Sequence, residues 1–142
     1  MACATSYTHD AVVLGKFGRF VAINGALDAD LTGQVNTETA SGRHIGGVGG
    51  QMDFVRAANR SLEGRSIIAL QSTNRDRSRS RIIARLADGV VSTPRADADL
   101  IVTEHGIAEL RGRTLAERAR ALIQVADPAF RAELARAGER LV

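Results

Sequence analysis

At 142 residues, 44% of them apolar, the chain is long enough for one domain with a proper core, and no apolar run is long enough to span a bilayer. A single cysteine, Cys3, excludes an internal disulfide and suits a reducing cytoplasm; with only three scattered histidines, no metal site is expected. The net charge is +3 and the sequence pI is near 10.0, carried almost wholly by arginine, since Lys16 is the only lysine. Acids are interleaved with these bases almost everywhere, so the charge does not mark a nucleic-acid-binding chain.

The N-terminus, MACATSYTHD, has no basic segment followed by an apolar one and is not a secretory signal; a frayed end is expected there. Phe20 to Gly25 (FVAING) is a short apolar run closed by Asn-Gly and reads as a buried strand. Leu31 to Val35 (LTGQV) is a second strand or the turn into one. A glycine-rich loop comes next. After it, Phe54, Val55, Ala58 and Leu62 share one helical face, with Gly64 as the stop. Ser66 to Leu70 (SIIAL) is a buried strand, QSTNRDRSRS a polar loop, and RIIARL a weaker strand.

Gly89 to Pro94 (GVVSTP) reads as a strand closed by proline, and Asp99 to Gly106 as a strand running into a turn. GIAELRG is expected to be a short helix. In TLAERARALIQVA, Thr114 at the N-cap and Glu117 three residues on form a capping box. A last helix starts at Asp127 and Pro128 and runs through about Ala137. Strands alternating with helices imply one α/β domain over residues 1–142, with a Rossmann-like, mostly parallel sheet flanked by helices. Ligands of such sheets settle at the carboxyl ends of the strands.

The loop GRHIGGVGGQMDF carries Gly46, Gly47, Gly49 and Gly50 just ahead of a helix. Glycines let other atoms approach the backbone, and successive free amides can cradle an anion. The helix adds unsatisfied N–H groups and a positive dipole end. The pattern is neither a Walker loop nor G-x-G-x-x-G. Two readings fit it equally: a cradle for a phosphate, carboxylate or developing oxyanion, or a tight strand-to-helix turn. A second basic element, NRDRSRSRIIAR, places Arg75, Arg77, Arg79, Arg81 and Arg85 against one acid, Asp76. It lacks aromatic residues for stacking bases, but its guanidinium groups suit ligand phosphates.

The segments RFVAINGALDADLTGQVN, GRHIGGVGGQMDFVRAANRS, GRSIIALQST, SRIIARL, VVSTPRADADLIVTEHGIAELRGRTLAERARALI and ADPAF occur in the order of one family. From about Tyr7 to Phe130 the chain resembles the C-terminal domain of the acetyl-CoA hydrolase/transferase family, which includes acetate, butyrate and 4-hydroxybutyrate CoA-transferases. The resemblance implies an enzyme that moves CoA between short carboxylic acids through a glutamyl-CoA intermediate, or hydrolyses acyl-CoA. It implies coenzyme A or acyl-CoA as substrate, with no metal. Family contacts to CoA carry over to Leu27, Gly46, Gly49, Gly50 and Arg75, with the Gly50 amide as oxyanion donor. The family's catalytic glutamate belongs upstream of the segment that matches SYTHDAVVLGKFGRF. The N-terminal domain is therefore expected as a separate partner, alongside short carboxylates and a homo-oligomer. The alternative is a non-catalytic remnant that binds an anion or a partner protein. Family departures are Gln71 for a proline before Ser-Thr, His105 for an aromatic residue and Ala84 for a proline.

Other titratable residues carry less. Glu38, eight residues before Gly46, reads as a solvated loop acid. Glu104 and His105 are adjacent on a strand end and should point to opposite faces. His44 reads as a surface residue, His9 carries no argument, and Asp28 and Asp30 read as a solvated strand face.

Overall fold

A computed structural model describes residues 3–86 and 90–140. The chain is helical from the start of this region: α1 covers Thr5–Thr8 and α2 covers Ala11–Leu14. Asp10 caps α2, its carboxylate accepting from the Val12 and Val13 amides at 2.7 and 3.0 Å. The expected fraying does not extend to Thr5, where α1 begins.

Four strands build the central sheet, numbered by their place in the chain: β1 (Val21–Gly25), β6 (Arg65–Ala69), β8 (Leu100–Thr103) and β9 (Gly106–Glu109), in that order. The first three are parallel, and β9 folds back antiparallel on β8. Between β1 and β6 come β2 (Asp28–Asp30), β3 (Val35–Asn36), the hairpin β4 (Thr39–Ala40) and β5 (Arg43–His44), and then α3 (Gln51–Arg60). β7 (Ile82–Ile83) joins β2 in a small second sheet of order β3-β2-β7. The chain closes with α4 (Leu115–Val125), a 3-10 turn (Pro128–Phe130) and α5 (Arg131–Gly138).

This is the expected α/β fold with a mostly parallel sheet and helices packed on it. α3 and α4 both lie on one face. Ile68 and Ile101 point to that face, where they share a core with Val55 of α3, Leu122 and Val125 of α4, and Ile82 and Leu31 of the small sheet. Burying each such large side chain is worth about 1.5–3 kcal/mol. Thr103, on the same face as Ile101, donates its hydroxyl to the Val125 carbonyl at 2.6 Å. α4 carries the expected capping box, Thr114 with Glu117.

Several expectations are corrected. GIAELRG is not a helix: it is strand β9, because Glu104 and His105 form a two-residue turn that pairs Thr103 with Gly106. GVVSTP is not a strand; Gly89 lies outside the described residues, and Ser92 and Thr93 meet the small sheet at Val35 in an isolated bridge. LTGQV, by contrast, is what one of its two readings held, a turn that runs into strand β3 at Val35. RIIARL keeps only Ile82–Ile83 as strand. α3 ends at Arg60, so Leu62 leaves the helical face and is 81% exposed. Gly64 works by close approach, since a Cβ there would press on the Ala58 and Phe20 carbonyl oxygens and on Ser61.

Asp28 and Asp30 are buried, not solvated. Asp28 pairs with Arg79 at 2.7 Å. Asp30 closes the β2–β3 turn by accepting from the Thr32 and Gln34 amides, the Thr32 hydroxyl and the Gln34 side chain. It also accepts from the Leu86 amide at 3.3 Å. Asp99 is a third buried acid, holding Arg65 and Arg111, each at 3.1 Å, and the Ser66 amide.

Candidate functional site

The carboxyl ends of β1, β6 and β8 lie side by side, so Ala26–Leu27, Leu70–Arg75 and Glu104–His105 share one edge of the sheet. α3 packs antiparallel on β6: its C-terminal Asn59 meets Ser66 at the start of that strand, at 3.2 Å. Its N-terminus, with the glycine loop, therefore points toward the same edge.

The loop itself is partly bonded. The Ile45 and Gly46 amides donate to the Glu38 carbonyl at 2.8 and 3.3 Å, and the Gln51 amide donates to the Val48 carbonyl at 3.3 Å. The amides of Gly47, Val48, Gly49 and Gly50 have no partner among the described residues, nor do those of Met52 and Asp53 in the first turn of α3. Gly49 sits at φ +54°, the left-handed region that glycine enters without strain. Gly46 and Gly49 are exposed, and Gly50 is half-buried. This arrangement presents unbonded N–H groups beside a helix dipole.

One side chain stands over the cradle. A Cβ built on Gly50 would collide with the His9 imidazole, which packs edge-on against Phe54 at a centroid distance of 4.8 Å. Phe20 and Phe17 continue the aromatic row. His9 thus bears on the site, which the sequence reading missed. Behind the loop, the buried Gln51 amide side chain donates to the Thr93 hydroxyl at 2.8 Å. The Ser92 hydroxyl donates to the Glu38 carboxylate at 2.7 Å. Glu38 is therefore a half-buried, tethered acid rather than a freely solvated one.

Leu27 is half-buried, and its amide donates to the Asn36 carbonyl at 2.9 Å, which ties the end of β1 to the β3–β4 region and so to the loop. Arg75 is exposed on the turn after β6, where Asn74, Arg75 and Asp76 line an open concavity. The turn is ordered by its own side chains: Asn74 accepts from the Arg79 amide, and Asp76 accepts from the Ser78 hydroxyl and amide. Those Ser78 bonds hold the Asp76 carboxyl below its usual range. Leu27, the glycines and Arg75 occupy one edge with no hydrogen bond among them. His44 is exposed on β5, as expected, and its side chain has no hydrogen-bond partner among the described residues.

Glu104 and His105 do not point to opposite faces, because they sit in a turn. The Glu104 carboxylate accepts from the Ser72 hydroxyl at 2.7 Å and the Ser72 amide at 2.9 Å, bridging the ends of β6 and β8. Burial pushes its carboxyl up, but the Ser72 hydroxyl, its own and Ser72's amides and the neighbouring His105 outweigh this and hold it below the ordinary range. His105 lies 3.9 Å from Glu104 and 3.8 Å from Asp127. The signal that could have revealed this bridge was the Ser72-Thr73 and Thr103-Glu104 pairs at the ends of adjacent parallel strands.

Residues 1–138 match the family model described as the acetyl-CoA hydrolase/transferase C-terminal domain. Over 132 residues the chain is 45% identical to the 4-hydroxybutyrate coenzyme A transferase of Clostridium kluyveri, covering 92% of this chain and 31% of that protein. The crystal structure of RipA from Yersinia pestis superposes with a TM-score of 0.88 at 44% identity, over 95% of this chain and 30% of that one. The 4-hydroxybutyrate CoA-transferase structure from Porphyromonas gingivalis superposes at 0.78 and 40% identity, over 96% of this chain and 30% of that one. The chain thus spans about a third of the length of the relatives it matches. With fold, motif order and sequence identity in agreement over almost its whole length, the chain belongs to the acetyl-CoA hydrolase/transferase family, in its C-terminal domain.

Proposed function

We propose that this chain is the CoA-binding C-terminal portion of a CoA-transferase or acyl-CoA hydrolase acting on short carboxylic acids in the cytoplasm. The observation that carries the reading is the row of unbonded amides from Gly47 to Gly50 at the head of α3, on the carboxyl edge of parallel strands. In this reading a glutamate carboxylate, supplied by polypeptide outside the 142 residues, attacks the thioester carbonyl. CoA thiolate leaves, and a mixed anhydride forms. The thiolate then attacks the glutamyl carbonyl, releasing the carboxylic acid and leaving a glutamyl-CoA thioester. Transfer to an acceptor carboxylate runs these steps in reverse, and water gives hydrolysis instead.

The Gly50 amide donates to the developing oxyanion, a role worth about 3–4 kcal/mol of transition-state stabilisation. Gly46 and Gly49 let the backbone approach the thioester and CoA, Leu27 contacts the carrier, and the Arg75 guanidinium meets a CoA phosphate. No metal takes part. The relatives' names, a CoA transferase of Clostridium kluyveri and an acetyl-CoA hydrolase of Kluyveromyces lactis, support the substrate class.

Calorimetry with CoA and with pantetheine tests the reading. Wild type should bind CoA, and Arg75→Ala should lose CoA affinity while pantetheine binding stays unchanged. Equal losses for both ligands remove Arg75 from the phosphate site, and no CoA binding with or without the rest of the enzyme refutes the reading.

One observation favours a second reading, a non-catalytic anion- or partner-binding module: the His9 ring occupies the space over Gly50. If His9→Ala leaves the chain unable to bind CoA but able to bind inorganic phosphate, this second reading stands.

A further inference from the structure

The central sheet has a second face, on which Leu100 is buried but the two margins stand open among the described residues. Residues paired across a sheet point to the same side. One row runs Ile23–Ile67–Leu100 and the next runs Ala69–Val102–Ile107. These side chains face away from the core shared by α3 and α4. Ile23 is 69% exposed and Ile107 is 63% exposed, with Val21 beside them at 49%. A sheet of parallel strands is ordinarily covered on both faces, because its crossovers lay helices on them. Here the β1–β6 crossover lays α3 on the core face, and the β6–β8 connection runs through β7 with no helix among its described residues.

The free edge of β1 tells the same story. The Arg65 amide donates to the Phe20 carbonyl, and the Ala26 amide donates to the Ala69 carbonyl, so the even-numbered residues of this stretch turn their peptide groups toward β6. The N–H and C=O groups of Val21, Ile23 and Gly25 then point off the edge, with no partner among the described residues. Nothing protects this edge in the way exposed edges are usually protected: it carries no proline, no lysine and no bulge.

We propose that β1 is an interior strand of a larger parallel sheet, completed by a strand–helix unit from the two-thirds of the family polypeptide that lies outside these 142 residues. The strand pairs with Val21, Ile23 and Gly25, and its helix packs on the open face beside Ile23. The relatives supply the length: the same fold forms 30% of the RipA chain at a TM-score of 0.88. Handedness selects the unit. A right-handed crossover running outward, away from β1, lays its helix on the open face, whereas one running inward toward β1 lays it on the face α3 already occupies. Helices on opposite faces to either side of β1 make its carboxyl end a topological switch point, and the crevice there opens beside Leu27. The inference rests on family membership and fold, not on the CoA reading, and its test contains no CoA.

The test is co-expression of this chain with the part of the Clostridium kluyveri transferase that the matched residues leave out. Wild type and Leu62→Lys should co-purify with it, and Ile23→Lys should not, although all three melt alike in isolation. A chimera, with this chain grafted onto that part, provides a second measurement by hydrogen exchange. The Val21, Ile23 and Gly25 amides should exchange freely in the isolated chain and at least 100-fold more slowly in the chimera. Equal co-purification of Ile23→Lys, or equal exchange in both settings, overturns the proposal. So does a defined dimer of the isolated chain with those three amides protected, which would make a second copy the occupant.

Discussion

At Gly50 the backbone angles suit any residue, with φ −86° and ψ 9°, so what excludes a side chain is the His9 ring. That ring sits at the end of a side chain that can swing away. Gly50→Ala should therefore cost only about 1 kcal/mol in urea unfolding, and His9→Ala in the same chain should recover most of it. Asp99 is a stiffer case, because its buried carboxylate serves two arginines and a strand amide at once. Asp99→Ala should cost about 2–3 kcal/mol, measured the same way; the arginines are half-exposed and can rehydrate, which limits the loss. Glu104 makes stability depend on pH. Its folded carboxyl lies below the unfolded value, so its contribution is present above the unfolded pKa and is lost as pH falls through the folded one. Unfolding curves for wild type should weaken as pH falls below the ordinary carboxylate range, and Glu104→Gln should flatten that acid limb. None of these three partnerships was read from the sequence, although paired Ser-Thr and Thr-Glu strand ends hinted at the third. His9 and Gly50, Asp99 and Arg65, and Ser72 and Glu104 are each more than thirty residues apart.

Among the elements, those announced by local chemistry emerged where expected. The Thr114–Glu117 capping box set the start of α4, and apolar runs marked β1, β6 and β8, although β1 was expected to be buried and only Ala22 of it is. β9 was misread because a short stretch with few apolar residues, such as GIAELRG, suits a helix or a strand alike. What made it a strand was the pairing partner that the Glu104–His105 turn brought alongside. The β2 acids were misread for the opposite reason: Asp-Leu-Thr-Gly carries a local turn signal, an aspartate that bonds the backbone two residues on, which was passed over for strand alternation. Gly64 belongs at this scale, because it lets the end of α3 and the start of β6 come together. Gly64→Ala should cost more than about 3 kcal/mol by chemical denaturation, since the obstacles are backbone carbonyls that cannot step aside.

For the whole molecule, the apolar face from Ile23 to Ile107 governs solution behaviour. The isolated chain should bind a hydrophobic dye and have a low solubility limit. Changing Ile23 and Ile107 together to lysine should quench the dye signal and raise the limit several-fold, with the thermal midpoint unchanged, as both side chains already face water. Fold class, family and the glycine loop could be read from residue order, because each rests on chemistry within one short segment: apolar runs, caps and consecutive glycines. Which amides of that loop stay unbonded, which acids are buried, and that α3 and α4 share one side of the sheet came from packing alone. Those properties depend on which distant segments meet, and the free energy of a contact between distant residues leaves no mark on the spacing of either one.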